Sequence, residues 1–251
     1  MLYNYHTHTT RCKHANGEDR EYVEKAIERG LQVLGFSDHA PYPFPNGFCS
    51  DHRMRVDQME DYVDSVRSLK KEYEKDIRIL LGFELEYYPA YHADAMRLLK
   101  TAAPDYIIMG QHFFGNELNS PYASYLADEK MFSAYISQIL EGLQTGDFVY
   151  LAHPDLAGYH YPEEVVEREY RRLCEGAKAL HIPLEINLLG LRTNRHYPDK
   201  RLFQIAAEVG NTVVIGADAH NPCDVTDPAS ERIAKQWCTE LGLKLLEKPF
   251  I

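Results

Sequence analysis

The sequence predicts an α/β fold, a (β/α) barrel or a closely related layered arrangement. Three observations carry this. Short apolar runs alternate with longer amphipathic segments over the 251 residues. Histidines and carboxylates recur where the apolar runs end. No internal repeat, low-complexity tract or interdomain linker interrupts the pattern, so residues 1–251 are expected to form one domain.

The runs that read as buried parallel strands are residues 2–5, 33–37, 77–84, 106–109, 148–152, 184–187 and 212–216. Helical patterns lie between them. Residues 19–29 stop at Gly30, a helix-ending signal. Residues 56–73 carry Met59, Tyr62, Val63, Val66 and Leu69 at helical spacing. Residues 128–143, 163–180, 199–209 and 227–241 complete the set. Two loops, 41–53 and 116–125, are long enough to serve as walls of a site.

Composition is that of a soluble globular chain, with 45% hydrophobic and 26% charged residues. The net charge of -11 counts against non-specific nucleic-acid binding, which needs Lys and Arg to neutralise phosphates. It leaves room for a small anionic substrate at a site made positive by metal ions. The five cysteines, Cys12, Cys49, Cys174, Cys223 and Cys238, are odd in number and lack C-x-x-C spacing. They read as reduced thiols of a cytoplasmic protein. The N-terminus lacks the basic start and apolar run of a signal peptide, and no stretch has the length of a membrane span.

The ionisable residues fall at strand ends. His6 and His8 follow the first run; Asp38 and His39 end the second. Glu84 and Glu86 end the third; His112 follows the fourth. His153 ends the fifth, and Asp218 and His220 follow the last. In a β/α barrel the carboxyl ends of the strands build the active site. Imidazole and carboxylate suit Zn, Fe and Mn. In extended chain, residues two apart share a side, so His6 and His8 reach one ion. Glu84 is the natural bridge between two ions, which a neutral imidazole cannot be. Singly each residue is a weak signal; the recurrence is what points to a metal centre. His52, His92, His160, His181 and His196 fit that pattern less well.

These residues resemble the PHP (polymerase and histidinol phosphatase) family. The matching stretches are Tyr-His-Thr-His at 5–8, Phe-Ser-Asp-His at 36–39, Gly-Phe-Glu-Leu-Glu at 82–86, Gly-Gln-His-Phe at 110–113, Ala-His-Pro-Asp at 152–155 and Gly-Ala-Asp-Ala-His at 216–220. The resemblance implies a distorted (β/α)7 barrel with two or three divalent ions. It assigns His6, His8, Glu84 and Asp218 to one metal, Glu84, His112 and His153 to a second, and His14, His39 and His220 to a third. Among the family, the chain is most similar to the stand-alone histidinol-phosphate phosphatases, through its length, Asp-His-Ala-Pro-Tyr-Pro at 38–43, Arg53-Met-Arg, and Gly190-Leu-Arg192 after Glu185-Ile-Asn187. Arg192 matches an arginine expected on phosphate, with Arg195 nearby. The stretch after His153 lacks a basic residue expected beside a phosphate.

The implied activity is hydrolysis of L-histidinol phosphate, a small phosphate ester, in histidine biosynthesis. A hydroxide between the first two metals is the expected nucleophile. Glu84 and Asp218 are expected to take part in catalysis. Asp38, Asp218 or a metal-bound water is expected to protonate the leaving oxygen. Glu86 is read as a partner orienting a ligand. Two alternatives remain: a PHP phosphatase or phosphodiesterase for a phosphotyrosyl protein or nucleotide, and a non-catalytic metal-binding module.

Overall fold

Parallel strands curled into a distorted barrel dominate the computed structural model, which describes residues 1–158 and 160–246. Strands β1 (Tyr3–Asn4), β2 (Val33–Phe36), β3 (Arg78–Leu85) and β4 (Tyr106–Met109) pair in that order. A second sheet runs β5 (Leu184–Asn187), β6 (Thr212–Gly216) and β7 (Lys244–Leu245).

Residues 148–152, expected as a strand, form no regular one. Only Leu151 bridges, to Met109 on one side and Leu184 on the other. Its amide reaches only the carbonyl of Pro183, at 3.0 Å, and its carbonyl accepts from Glu185 N at 2.9 Å. The segment still joins the two sheets as one stave. At the opposite seam, Thr7 bridges Ala219. There His8 N donates to Ala219 O at 2.9 Å and Ala219 N to His6 O at 3.1 Å.

Strand alternation sorts two cores. Tyr3, Tyr5, Val33, Leu80, Tyr106, Ile108 and Val214 fill the barrel interior. Leu34, Phe36, Leu81, Phe83, Ile107, Ile186, Val213 and Ile215 face outward into the helical layer. Each fully buried large apolar side chain stabilises the fold by roughly 2 kcal/mol. Further along β3 and β5, the inward side chains become Glu84 and Glu185. The barrel is thus apolar at one end and charged at the other.

The helices are α1 (Asp19–Glu28), α2 (Met59–Glu72), α3 (His92–Thr101), α4 (Glu129–Leu143), α5 (Glu163–Ala179), α6 (Leu188–Arg192), α7 (Lys200–Val209) and α8 (Pro228–Leu241). Gly30 ends α1 with a φ of 77°, as its position predicts. Asp128, Asp199 and Asp227 cap α4, α7 and α8 through their side chains. α3, α6 and β7 were not among the expected elements. α3 buries little more than Ala95 and Leu99 beyond its first residue, too thin a stripe to read. Among the described residues, no helix is long and apolar enough to cross a membrane.

Candidate metal centre

Glu84 stands at the centre of the charged end. It is wholly buried, and any side chain at residue 110 would collide with its carboxylate, so Gly110 makes the space for it. Gly216 does the same for Glu185. Around Glu84 converge the other eight side chains expected as ligands: His6, His8, His14, His39, His112, His153, Asp218 and His220.

The spacing of their atoms is informative. His6 Nε2 lies 3.6 Å from both Glu84 Oε1 and Asp218 Oδ1. His8 Nε2 lies 3.6 Å from Glu84 Oε2 and 3.2 Å from Asp218 Oδ1. The 3.6 Å separations are long for hydrogen bonds, and the 3.2 Å one is at the upper end of their range. They match the roughly 3.4 Å between neighbouring donors that each lie about 2.1 Å from a tetrahedral ion. His6 Nε2, Asp218 Oδ1 and His220 Nε2 are buried with no hydrogen-bond partner. Orphaned buried polar atoms are costly, and a cation satisfies all three. The donor set therefore fits divalent metal.

Two further contacts to Glu84 are closer and one is longer. His153 Nε2 lies 2.8 Å from Oε1 and His39 Nδ1 2.9 Å from Oε2, while His112 Nε2 lies 3.8 Å from Oε1. His14 sits at the mouth, its ring centroid 4.8 Å from that of His220 and 5.3 Å from that of His39. Its Nδ1 lies 2.8 Å from the Cys12 carbonyl, which leaves Nε2 free to face the cluster.

Behind three of the rings stands a second carboxylate. Glu185 is 2.8 Å from His6 Nδ1, Asp38 is 3.4 Å from His8 Nδ1, and Glu86 is 3.0 Å from His112 Nδ1. The hydrogen bonds of Glu185 and Glu86 favour the proton on Nδ1 of His6 and His112 and leave Nε2 for the centre, while Asp38 stands behind His8 at a longer distance. Glu185 was not among the residues singled out from sequence. The signal was there: Glu185 and Asn187 end β5 two residues apart, as Glu84 and Glu86 end the third run.

Two of the expected side chains lie away from the cavity. Asp38 does not line the cavity. It accepts from the Thr9 hydroxyl and from His39 N, and backs His8. Arg192 also points away. It donates to Ala217 O and Asp218 O at 3.3 Å and lies 3.4 Å from Asp224 and 3.5 Å from Asp227. Arg195, the weaker of the two arginine expectations, is the one on the cavity wall, donating to the Tyr197 hydroxyl at 2.7 Å. The cavity holds about 290 Å³, and His52 and Tyr122, from the two long loops, close its side.

Electrostatics follow from this packing. Burial pushes the Glu84 carboxyl up, but His39, His112 and His6, with a hydrogen bond from His153, hold it well below the usual range. Burial disfavours a charged His6, yet Glu185, Asp218 and Glu84 raise it well above an ordinary histidine. His220, where burial and His8 act together, is pushed down to about 3. Strain is also present: His153 and Asp218 adopt φ of 29° and 47°. Such conformations cost about 1–3 kcal/mol each and cluster at functional sites.

A family model described as PHP domain matches residues 4–188. A Deinococcus radiodurans protein named "Probable histidinol-phosphatase" is 28% identical over 230 residues, covering 88% of this chain and 86% of that one. The histidinol-phosphatase of Bacillus subtilis is 31% identical over 138 residues, covering 53% and 51%. A crystal structure of histidinol phosphate phosphatase from Lactococcus lactis, complexed with zinc, L-histidinol and phosphate, superposes with a TM-score of 0.74 at 19% identity, covering 98% of this chain and 95% of that one.

Proposed function

Because this chain belongs to the PHP family, we propose that it is a metal-dependent phosphomonoesterase that hydrolyses L-histidinol phosphate to L-histidinol and phosphate. The observation that carries the reading is the set of buried His, Glu and Asp donors held at metal-sharing distances around Glu84. The substrate rests on the names of the relatives.

His6, His8, Glu84 and Asp218 would hold one metal, Glu84, His112 and His153 a second, and His14, His39 and His220 a third. Zinc, iron and manganese all accept these donors, and the Lactococcus lactis structure contains zinc. When bound, such ions supply Lewis acidity and make water acidic enough to act as a nucleophile near neutral pH.

The remaining work belongs to this chain. Arg195 offers a planar fork to two phosphate oxygens and is steadied by Tyr197. It lines the same cavity as the metal donors, where its charge would add to that of bound ions in stabilising the transferring phosphoryl group. Glu185 and Glu86 keep His6 and His112 in the tautomer that presents Nε2, and Asp38 backs His8. Phe113, Tyr122 and Tyr197 give the cavity an aromatic wall against which an imidazole-bearing leaving group packs.

The test is phosphate release from L-histidinol phosphate by metal-loaded and chelator-stripped protein, beside an aryl phosphate. Metal-dependent turnover much faster on histidinol phosphate supports the proposal. Cleavage of the aryl ester alone would discard the substrate and keep the phosphatase.

A further inference from the structure

Arg53 is 2% exposed, and its guanidinium has five N–H donors. All are used. Nη1 and Nη2 donate to the two oxygens of Glu86 at 2.7 and 2.8 Å. Nη1 also reaches Ala40 O at 3.2 Å, Nη2 the Tyr88 hydroxyl at 3.5 Å, and Nε reaches Glu117 Oε2 at 2.8 Å. Glu86, so gripped, faces His112 Nδ1 at 3.0 Å. Among the three carboxylates that back histidines, Glu86 is the one paired with a buried guanidinium. Glu185 is met by Asn187 and a backbone amide, and Asp38 by Thr9 and a backbone amide.

We propose that Arg53 is a positioning residue for the metal held by His112 and His153, acting through Glu86 on the orientation and tautomer of His112. This rests on the metal reading above. The physical reason is the fork. It fixes both Glu86 oxygens in one plane, so one of them stays aimed at His112. Its Nε arm ties the same group to Glu117, in the loop that carries Tyr122 to the cavity wall. Lysine has the charge but three donors and no plane. Arg53→Lys keeps the buried carboxylates compensated and releases Glu86 to turn.

The experiment measures zinc retained per folded chain across buffered free-zinc concentrations, for wild type and Arg53→Lys. One class of zinc is expected to weaken about 10–100-fold while the rest hold. Excess zinc is expected to restore phosphate release, which it would not do for a mere packing defect. A folded Arg53→Lys that keeps every zinc at wild-type affinity overturns the inference. If that variant does not fold, Arg53→Met with Glu86→Leu removes both charges of the buried pair. Full zinc retention by the folded double variant overturns the proposal, because His112 would then need neither member of the pair. A wild-type chain that binds no zinc would overturn the metal reading itself, a result distinct from either.

Discussion

Five imidazoles lie within 3.8 Å of the Glu84 carboxylate, those of His6, His8, His39, His112 and His153. They do not share its charge equally. Burial works against protonation of His6, His8 and His153, but neighbouring carboxylates raise all three above an ordinary histidine. Burial lowers His39 and His220, and the charge on His8 adds to it. In the metal-free protein, protonation is therefore favoured on the first group and disfavoured on the second. A metal needs the lone pairs, so zinc must expel those protons. The sign follows: affinity rises with pH through neutrality and falls as pH drops. The first two positions should show this more than the His14, His39 and His220 set. Titration calorimetry of stripped protein with zinc, in buffers of different ionisation enthalpy, should give heats that track the buffer. Buffer-independent heat would show that the site is already deprotonated. Residue identity at strand ends was readable because period-two alternation puts alternate side chains on the inner face. The direction of Asp38 was not, because the Thr9 hydroxyl and His39 amide that turn it come from folding.

At the scale of elements, α6 separates the two arginines. Its cap is Asn187, whose side chain accepts from Gly190 N at 3.1 Å. The single turn that follows points Arg192 at the carbonyls of Ala217 and Asp218 and leaves Arg195 beyond the helix, on the cavity wall. The spacing of three residues is plain in sequence. Which one faces the cavity depends on where so short a helix stops. Arg195→Ala should raise KM for the phosphate ester tenfold or more while metal content holds. Arg192→Ala should leave KM close to wild type and lower stability by about 1–3 kcal/mol, because two buried carbonyls lose donors beside the strained Asp218. Steady-state kinetics and thermal melts of both variants decide the matter; a KM effect confined to Arg192→Ala would reverse the assignment. Residues 148–152 teach a similar lesson. Their apolar run announced a buried stave correctly. How regular its ladder becomes depends on neighbours: Val149 N and Ala152 N donate to Ile107 O and Met109 O, while on the other side Leu151 N meets Pro183 O.

Across the whole molecule, the barrel closes through a pair of hydrogen bonds at Thr7 and Ala219, each residue flanked by two of the proposed ligands. The acidic chain gathers buried carboxylates at this end, and bound cations offset their repulsion. Stripping the metal should loosen the seam before the rest. Hydrogen exchange of the His8 and Ala219 amides should quicken on chelation, while Leu34 and Ile107, in the paired sheet behind, stay protected. Uniform protection with and without metal would show a seam that stands alone.

The order of the proposed ligands along the chain has a consequence for synthesis. The first metal draws on residue 6 and on residue 218, so no nascent chain can assemble it until almost the whole barrel has left the ribosome. The earliest histidines to emerge must wait, unpaired, through most of translation. Stable metal capture thus becomes a late event, and a truncated product that stops before β6 is released without it. Metal content would then differ between a finished molecule and one that stops short.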